Sequence, residues 1–173
     1  MIVRRGKAVW VWLFSVAFTL CQPSSVFALD RGTNALDNEK LAIKGGYRIV
    51  TTSELQGWLD RIDPRWLSER ESILVVDTMP DDSYKKKHIP YADQFEFPNE
   101  EIDHLDDKTR AEFAKVLGPD KHRKLVFYCD NTKCVRSHNG AMCAVKLGYT
   151  IVYRYPAGIK GWLEAGNPTA TAK

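Results

Sequence analysis

Lys124-Leu-Val-Phe-Tyr-Cys-Asp-Asn-Thr-Lys-Cys-Val-Arg-Ser137 is the stretch on which the reading of this 173-residue chain turns. Residues 124–128 carry a short apolar run, the pattern of a strand buried on both faces. Residues 137–147 have Ala141, Met142, Ala144 and Val145 as apolar members and Gly148 as a stop, which predicts a helix. Between the two lies a polar loop holding Cys129, Cys134 and Arg136. In open α/β sheets, ligands bind beyond the carboxyl ends of the strands, where the following helix begins. Backbone N–H groups in such a loop turn inward as an anion nest, and the helix N-terminus adds positive potential. A thiol there is driven toward thiolate, with Arg136 as a further cation. Such a thiolate is suited to attack the outer sulfur of thiosulfate or a polysulfide and to hold it as a persulfide.

Working outward, a second apolar run at residues 73–76 ends in Asp77 and a turn-rich Met79-Pro-Asp-Asp82. A small basic helix is expected at 83–87 and a short strand near 95–97, with His88 holding the turn ahead of Pro90. Residues 106–117 are helical by spacing, with Phe113, Val116 and Leu117 apolar. Residues 47–50 read as a short strand. Thr51-Thr-Ser-Glu54 then looks like a capping box that opens a helix with Leu55, Trp58 and Leu59 on one face. Residues 62–71 form a connection or broken helix around Pro64. A last strand at 151–153 and a closing helix at 158–165 complete the order. Strands that alternate with helices favour an α/β fold, a parallel sheet covered on both faces.

The N-terminus has a separate logic. Arg4, Arg5 and Lys7 precede an apolar run containing Val9, Trp10, Val11, Trp12, Leu13 and Phe14, and small residues flank a processing site at Ala28. That order is a secretory leader, residues 1–28. The run is shorter than the roughly 20 residues that span a bilayer, so no stable membrane span is expected after processing. The expected location is periplasmic or secreted. Removing three of the 25 basic residues leaves 22, equal to the 22 acidic ones. A neutral mature chain makes nucleic acid a poor partner. Residues 29–46 are polar, with Gly32, Gly45 and Gly46, and are expected to form a loose arm before a domain at 47–168 and a tail at 169–173.

Cys21 leaves with the leader, so Cys129, Cys134 and Cys143 remain. Three cysteines clustered late in the chain are not a disulfide framework. Cys143, among apolar helix residues, is expected in the core. Cys134 has three readings: the true nucleophile, a partner that closes a disulfide or accepts the sulfur from Cys129, or a bystander. Cys129, Cys134 and His138 supply only three ligands and no CxxC pair, so no metal is expected. No cofactor is expected either.

These residues resemble the rhodanese-like sulfurtransferases. Ile73-Leu-Val-Val-Asp77, Tyr84 and His88-Ile-Pro-Tyr-Ala92 are similar to the first signature of that family. Phe127-Tyr-Cys129, Arg136-Ser137, Gly148-Tyr149 and Ala157-Gly-Ile-Lys-Gly-Trp162 are similar to its second half, in order. The resemblance implies a five-stranded parallel sheet with the catalytic cysteine, here Cys129, ending the fourth strand. The family's Arg usually stands five residues after the cysteine. Here Arg136 stands seven after, the extra length includes Cys134, and Thr78 replaces an Arg after Asp77.

The expected catalytic residues are therefore Cys129, Cys134 and Arg136. The amides and side chains of Asp130, Asn131, Thr132, Lys133, Val135 and Ser137 are expected to bind the anion. The expected substrate is a small sulfur-containing anion, and the acceptor is cyanide, a thiol or a protein. Two other classes remain: an oxyanion enzyme of the phosphatase or arsenate-reductase kind, and a non-catalytic thiol/disulfide redox module.

Overall fold

The computed structural model describes residues 34–62 and 72–172. The expected leader, the first part of the expected arm and most of the 62–71 connection lie outside the described residues. The elements run α1 (Asn34–Gly45), β1 (Arg48–Ile49), α2 (Thr52–Leu59), β2 (Ile73–Asp77), α3 (Asp81–Lys86), β3 (Asp93–Gln94), α4 (Asp107–Leu117), β4 (Lys124–Tyr128), α5 (Arg136–Lys146), β5 (Val152–Tyr155) and α6 (Gly158–Glu164). The five strands form one parallel sheet in the order β1-β5-β4-β2-β3. Among the described residues no helix is long and apolar enough to cross a membrane.

The two apolar runs lie side by side at the centre, with Leu74 opposite Leu125 and Val76 opposite Phe127. Their side chains alternate between faces with the period of two that a strand imposes. Leu74, Val76, Leu125 and Phe127 enter a core shared with Ala42 of α1, Phe113 and Leu117 of α4 and Ala141 and Ala144 of α5. Ile73, Val75, Val126 and Tyr128 enter a second core with Leu55 and Leu59 of α2 and Ile159 and Trp162 of α6. Each such side chain stabilises the fold by about 1.5–3 kcal/mol relative to exposure. A Cβ on Gly140 would stand 2.8 Å from Phe127 Cδ1 and 3.2 Å from Thr78 Cγ2, so α5 lies hard against β4 because that position is bare. The capping box at α2 is formed as expected: Thr51 accepts from the Glu54 amide, and Glu54 accepts from the Thr51 amide.

Two expectations are corrected. The arm at 29–46 is, from Asn34 onward, helix α1. Its helix formers (Ala, Leu, Glu, Lys) have the right propensity, but the apolar stripe is weak. Tertiary contacts fix it instead, through buried Ala42 and the Asn38 side chain. The strand expected at 95–97 lies two residues earlier, at Asp93–Gln94. Phe95 and Phe97 instead join Phe113 in an aromatic cluster, with centroids between 4.8 and 5.3 Å apart.

Candidate active site

The site is built at the carboxyl end of β4, and three devices pin that end. Tyr128 donates its hydroxyl to Asp77 Oδ2 at 2.7 Å and accepts from the Ile89 amide at 3.0 Å, while Asp77 Oδ1 accepts from the Met79 amide. Asp77 is thus a satisfied carboxylate at a strand end. His88 is structural as well, stacked on Tyr84 and bridged to Ala170. Thr78, which stands where the family resemblance called for Arg, donates its hydroxyl to the Tyr128 carbonyl at 2.7 Å.

Helix α6 makes the third device. The Ile159 and Lys160 amides donate to the Cys129 and Asp130 carbonyls at 2.9 and 3.0 Å. This approach needs Gly158, which has φ +64°; a Cβ there would lie 2.4 Å from the Cys129 oxygen.

Within the loop, the anion nest is smaller than the sequence suggests. The Lys133 amide donates to Asn131 Oδ1, the Cys134 amide to the Asn131 carbonyl, and the Val135 amide to Asn99 Oδ1. Those three donors are already used, so Lys133 and Val135 do not serve the anion through their backbone. Asn131 works as a turn former, and its Nδ2 also donates to Asp130 Oδ2. Lys133 is exposed. Thr132 lines an open groove of about 660 Å³ whose walls include Ala42, Ile43, Tyr47, Ile49 and Tyr153.

The donors that remain aim at sulfur. The Cys129 thiol, the amides of Asp130 and Arg136 and the Arg136 charge all favour the Cys134 thiolate. The neighbouring Cys129 is the largest influence, and together these bring the Cys134 thiol down to about 6 against the opposing cost of burial. Cys129 sits deeper, 1% exposed against 9% for Cys134. Its Sγ is 3.3 Å from Ser137 Oγ and 3.4 Å from the Cys134 carbonyl oxygen. Burial, then the neighbouring Cys134, push its thiol upward. Within the pair the influences favour the thiolate at Cys134, one of the readings that the sequence leaves open. Cys143 lies in the core, where burial raises it to about 11.

Sequence reasoning missed Arg154. On β5 and 1% exposed, it donates from Nε to Ser137 Oγ at 2.9 Å, from Nη1 to Asn38 Oδ1 at 2.8 Å and from Nη2 to the Cys134 carbonyl at 2.9 Å. Strand parity was the available signal: Val152 faces a core, so Arg154, two residues on, must point the same way. Beside it His138 Nδ1 meets Tyr47 Oη at 2.9 Å, and burial followed by the Arg154 charge lowers His138 to about 4.

A cysteine at the end of the central parallel strand, with its loop clamped by helix α6, matches a known family, and the model for the rhodanese-like domain matches residues 63–165. The chain belongs to the rhodanese-like domain family. Among solved structures, a thiosulfate sulfurtransferase from Pseudomonas aeruginosa is 17% identical with a TM-score of 0.57, covering 81% of this chain and 23% of that one. A protein from Rhodopseudomonas palustris CGA009, described as a possible tyrosine phosphatase, is 17% identical with a TM-score of 0.53, covering 76% and 92%. A rhodanese-related protein from Thermoplasma volcanium is also 17% identical, with a TM-score of 0.50 over 73% and 100%. At these identities the likeness is one of fold. No curated protein sequence matches.

Proposed function

We propose that this rhodanese-like protein transfers sulfane sulfur through a persulfide on the Cys129–Cys134 loop, with Cys134 as the attacking thiolate. The observation that carries this is that Cys134 is the less buried of two cysteines on the loop at the end of β4, 9% exposed against 1%, with the Cys129 thiol, two loop amides and the Arg136 charge favouring its thiolate. With thiosulfate, the Cys134 thiolate forms an S–S bond to the outer sulfur as the S–S bond of the donor breaks, and sulfite leaves with the electron pair. The persulfide anion inherits the same amides. A thiolate acceptor then takes the terminal sulfur and returns Cys134 as thiolate, while cyanide would leave as thiocyanate.

The oxyanion-enzyme reading is weaker, because a tetrahedral dianion needs a wide ring of free amides and those of Lys133, Cys134 and Val135 are occupied. The basic and apolar leader at residues 1–28 is the reason for placing this chemistry outside the cytoplasm.

Intact-mass spectrometry after thiosulfate or polysulfide tests the reading. Wild type and Cys129→Ser should gain one sulfur atom, and Cys134→Ser should not. The reverse pattern would move the nucleophile to Cys129, and no gain in reduced wild type with any donor would overturn the function.

A further inference from the structure

Arg154 brings a full positive charge into the interior, and its three hydrogen-bond partners are all neutral: a hydroxyl, an amide oxygen and a carbonyl. Among the described residues no carboxylate lies within ion-pair distance of it. The ion pairs formed there are side chains at the surface, such as Lys85 with Asp81 and Arg110 with Asp107. Burying a cation without an anion costs several kcal/mol. A charge held at that cost calls for a nearby anion, and the group able to supply one is the dithiol.

Hydrogen-bond direction connects them. Arg154 can only donate. Its Nε–H occupies a lone pair of Ser137 Oγ, so the Ser137 hydrogen points elsewhere, and Cys129 Sγ lies 3.3 Å away. With that sulfur accepting from Ser137, the Cys129 S–H is left to donate to the Cys134 carbonyl oxygen at 3.4 Å, the same oxygen that Arg154 Nη2 reaches at 2.9 Å. Every donor then faces the same way, from guanidinium to hydroxyl to thiol to the Cys134 carbonyl, and bonds in such a chain polarise one another. The Arg154 Nη2 bond to the Cys134 carbonyl fixes the far end of the loop in the same register.

We infer that Arg154 is a positioning residue for the dithiol, holding Ser137, Cys129 and the Cys134 peptide in the arrangement that keeps Cys134 as thiolate, with its buried charge beside the loop. The inference rests on the sulfurtransferase reading for its purpose, but its geometry requires no sulfur donor. The surrounding charges are few. Asp130, Lys133 and Arg136 border the loop, and Asp77 is engaged by Tyr128 below it. On the Arg154 side stand Tyr47 and His138, with Glu101, Lys44 and Lys146 beyond them.

The test is the pH dependence of Cys134 alkylation by iodoacetamide, read on its peptide by mass spectrometry in wild type, Arg154→Met, Ser137→Ala and the double variant. The wild-type midpoint should fall near about 6. Both single variants should raise it by about one pH unit or more, so that alkylation below the midpoint slows roughly tenfold. The double variant should move it no further, because the two residues act in one chain. A merely structural Arg154 would change the plateau rate at every pH and leave the midpoint in place, and that result overturns the inference. If Arg154→Met does not fold, as judged by circular dichroism, an unmoved midpoint in Ser137→Ala overturns it alone. Sulfur loading is measured separately. Midpoints that move without persulfide formation sink the function and leave Arg154 in its role; persulfide with unmoved midpoints does the opposite.

Discussion

The neighbours of Cys134 favour its thiolate, the state the proposed nucleophile needs, and that makes its pH profile the sharpest expectation at the residue scale. The thiolate forms as pH rises through about 6, so sulfur loading should climb across that value and level off before pH 8. An ordinary thiol, near 8.5, would still be climbing there. Cys129→Ala removes the largest influence on Cys134 and should carry the midpoint upward; an unmoved profile would mean that the amides alone suffice. Much of this site could be read in the sequence: strand, loop, Arg136 and both cysteines stand where the pattern of residues placed them. The proposed division of labour between the cysteines could not be, because it depends on their difference in burial and on which amides Asn131 and Asn99 have already taken. Arg154 stayed hidden because an Arg between two tyrosines in a strand reads as solvent-facing unless its parity with Val152 is followed.

The contact between α6 and the cysteine loop does the most at the scale of elements. In the sequence, residues 157–162 looked only like a family signature; in the fold, Gly158 lets two amides of α6 grip the carbonyls of Cys129 and Asp130. Gly158→Ala places a methyl against backbone oxygens that cannot retreat without breaking those bonds, at a left-handed φ that itself costs an L-residue about 1–2 kcal/mol. The variant should lose about 2 kcal/mol or more in urea denaturation and load sulfur at least tenfold more slowly. Normal loading in a destabilised protein would show that α6 supports the fold and not the loop. The buried strands β2 and β4 announced themselves by composition, since both faces are apolar. Helix α1 and the two-residue strand β3 did not, because each is held by contacts with distant residues more than by its own pattern.

His138 couples the whole molecule to pH. Folded, it resists protonation down to about 4, through burial first and the Arg154 charge second, whereas the unfolded chain takes up that proton near 6.5. Its contribution to stability is therefore complete above pH 6.5 and is lost as pH falls toward 4. Asp77 acts in the opposite sense, since burial raises its carboxyl and lets the folded state hold a proton more readily. The informative quantity is thus a difference: the urea midpoint of wild type should fall more steeply between pH 6.5 and 4 than that of His138→Gln. Parallel curves would mean that the ring is hydrated in solution.

The family match begins at residue 63, yet the sheet's outer strand β1 and the helix that steadies Arg154 through Asn38 both come before it. What is inherited as a recognisable unit and what folds as a unit have different borders in this chain. A chimera joined at residue 63 would receive both cysteines, Ser137 and Arg154 intact. It would leave β5 without its outer neighbour β1 and the guanidinium without one of its three anchors, so the transplanted loop would have the right letters around a charge less firmly held.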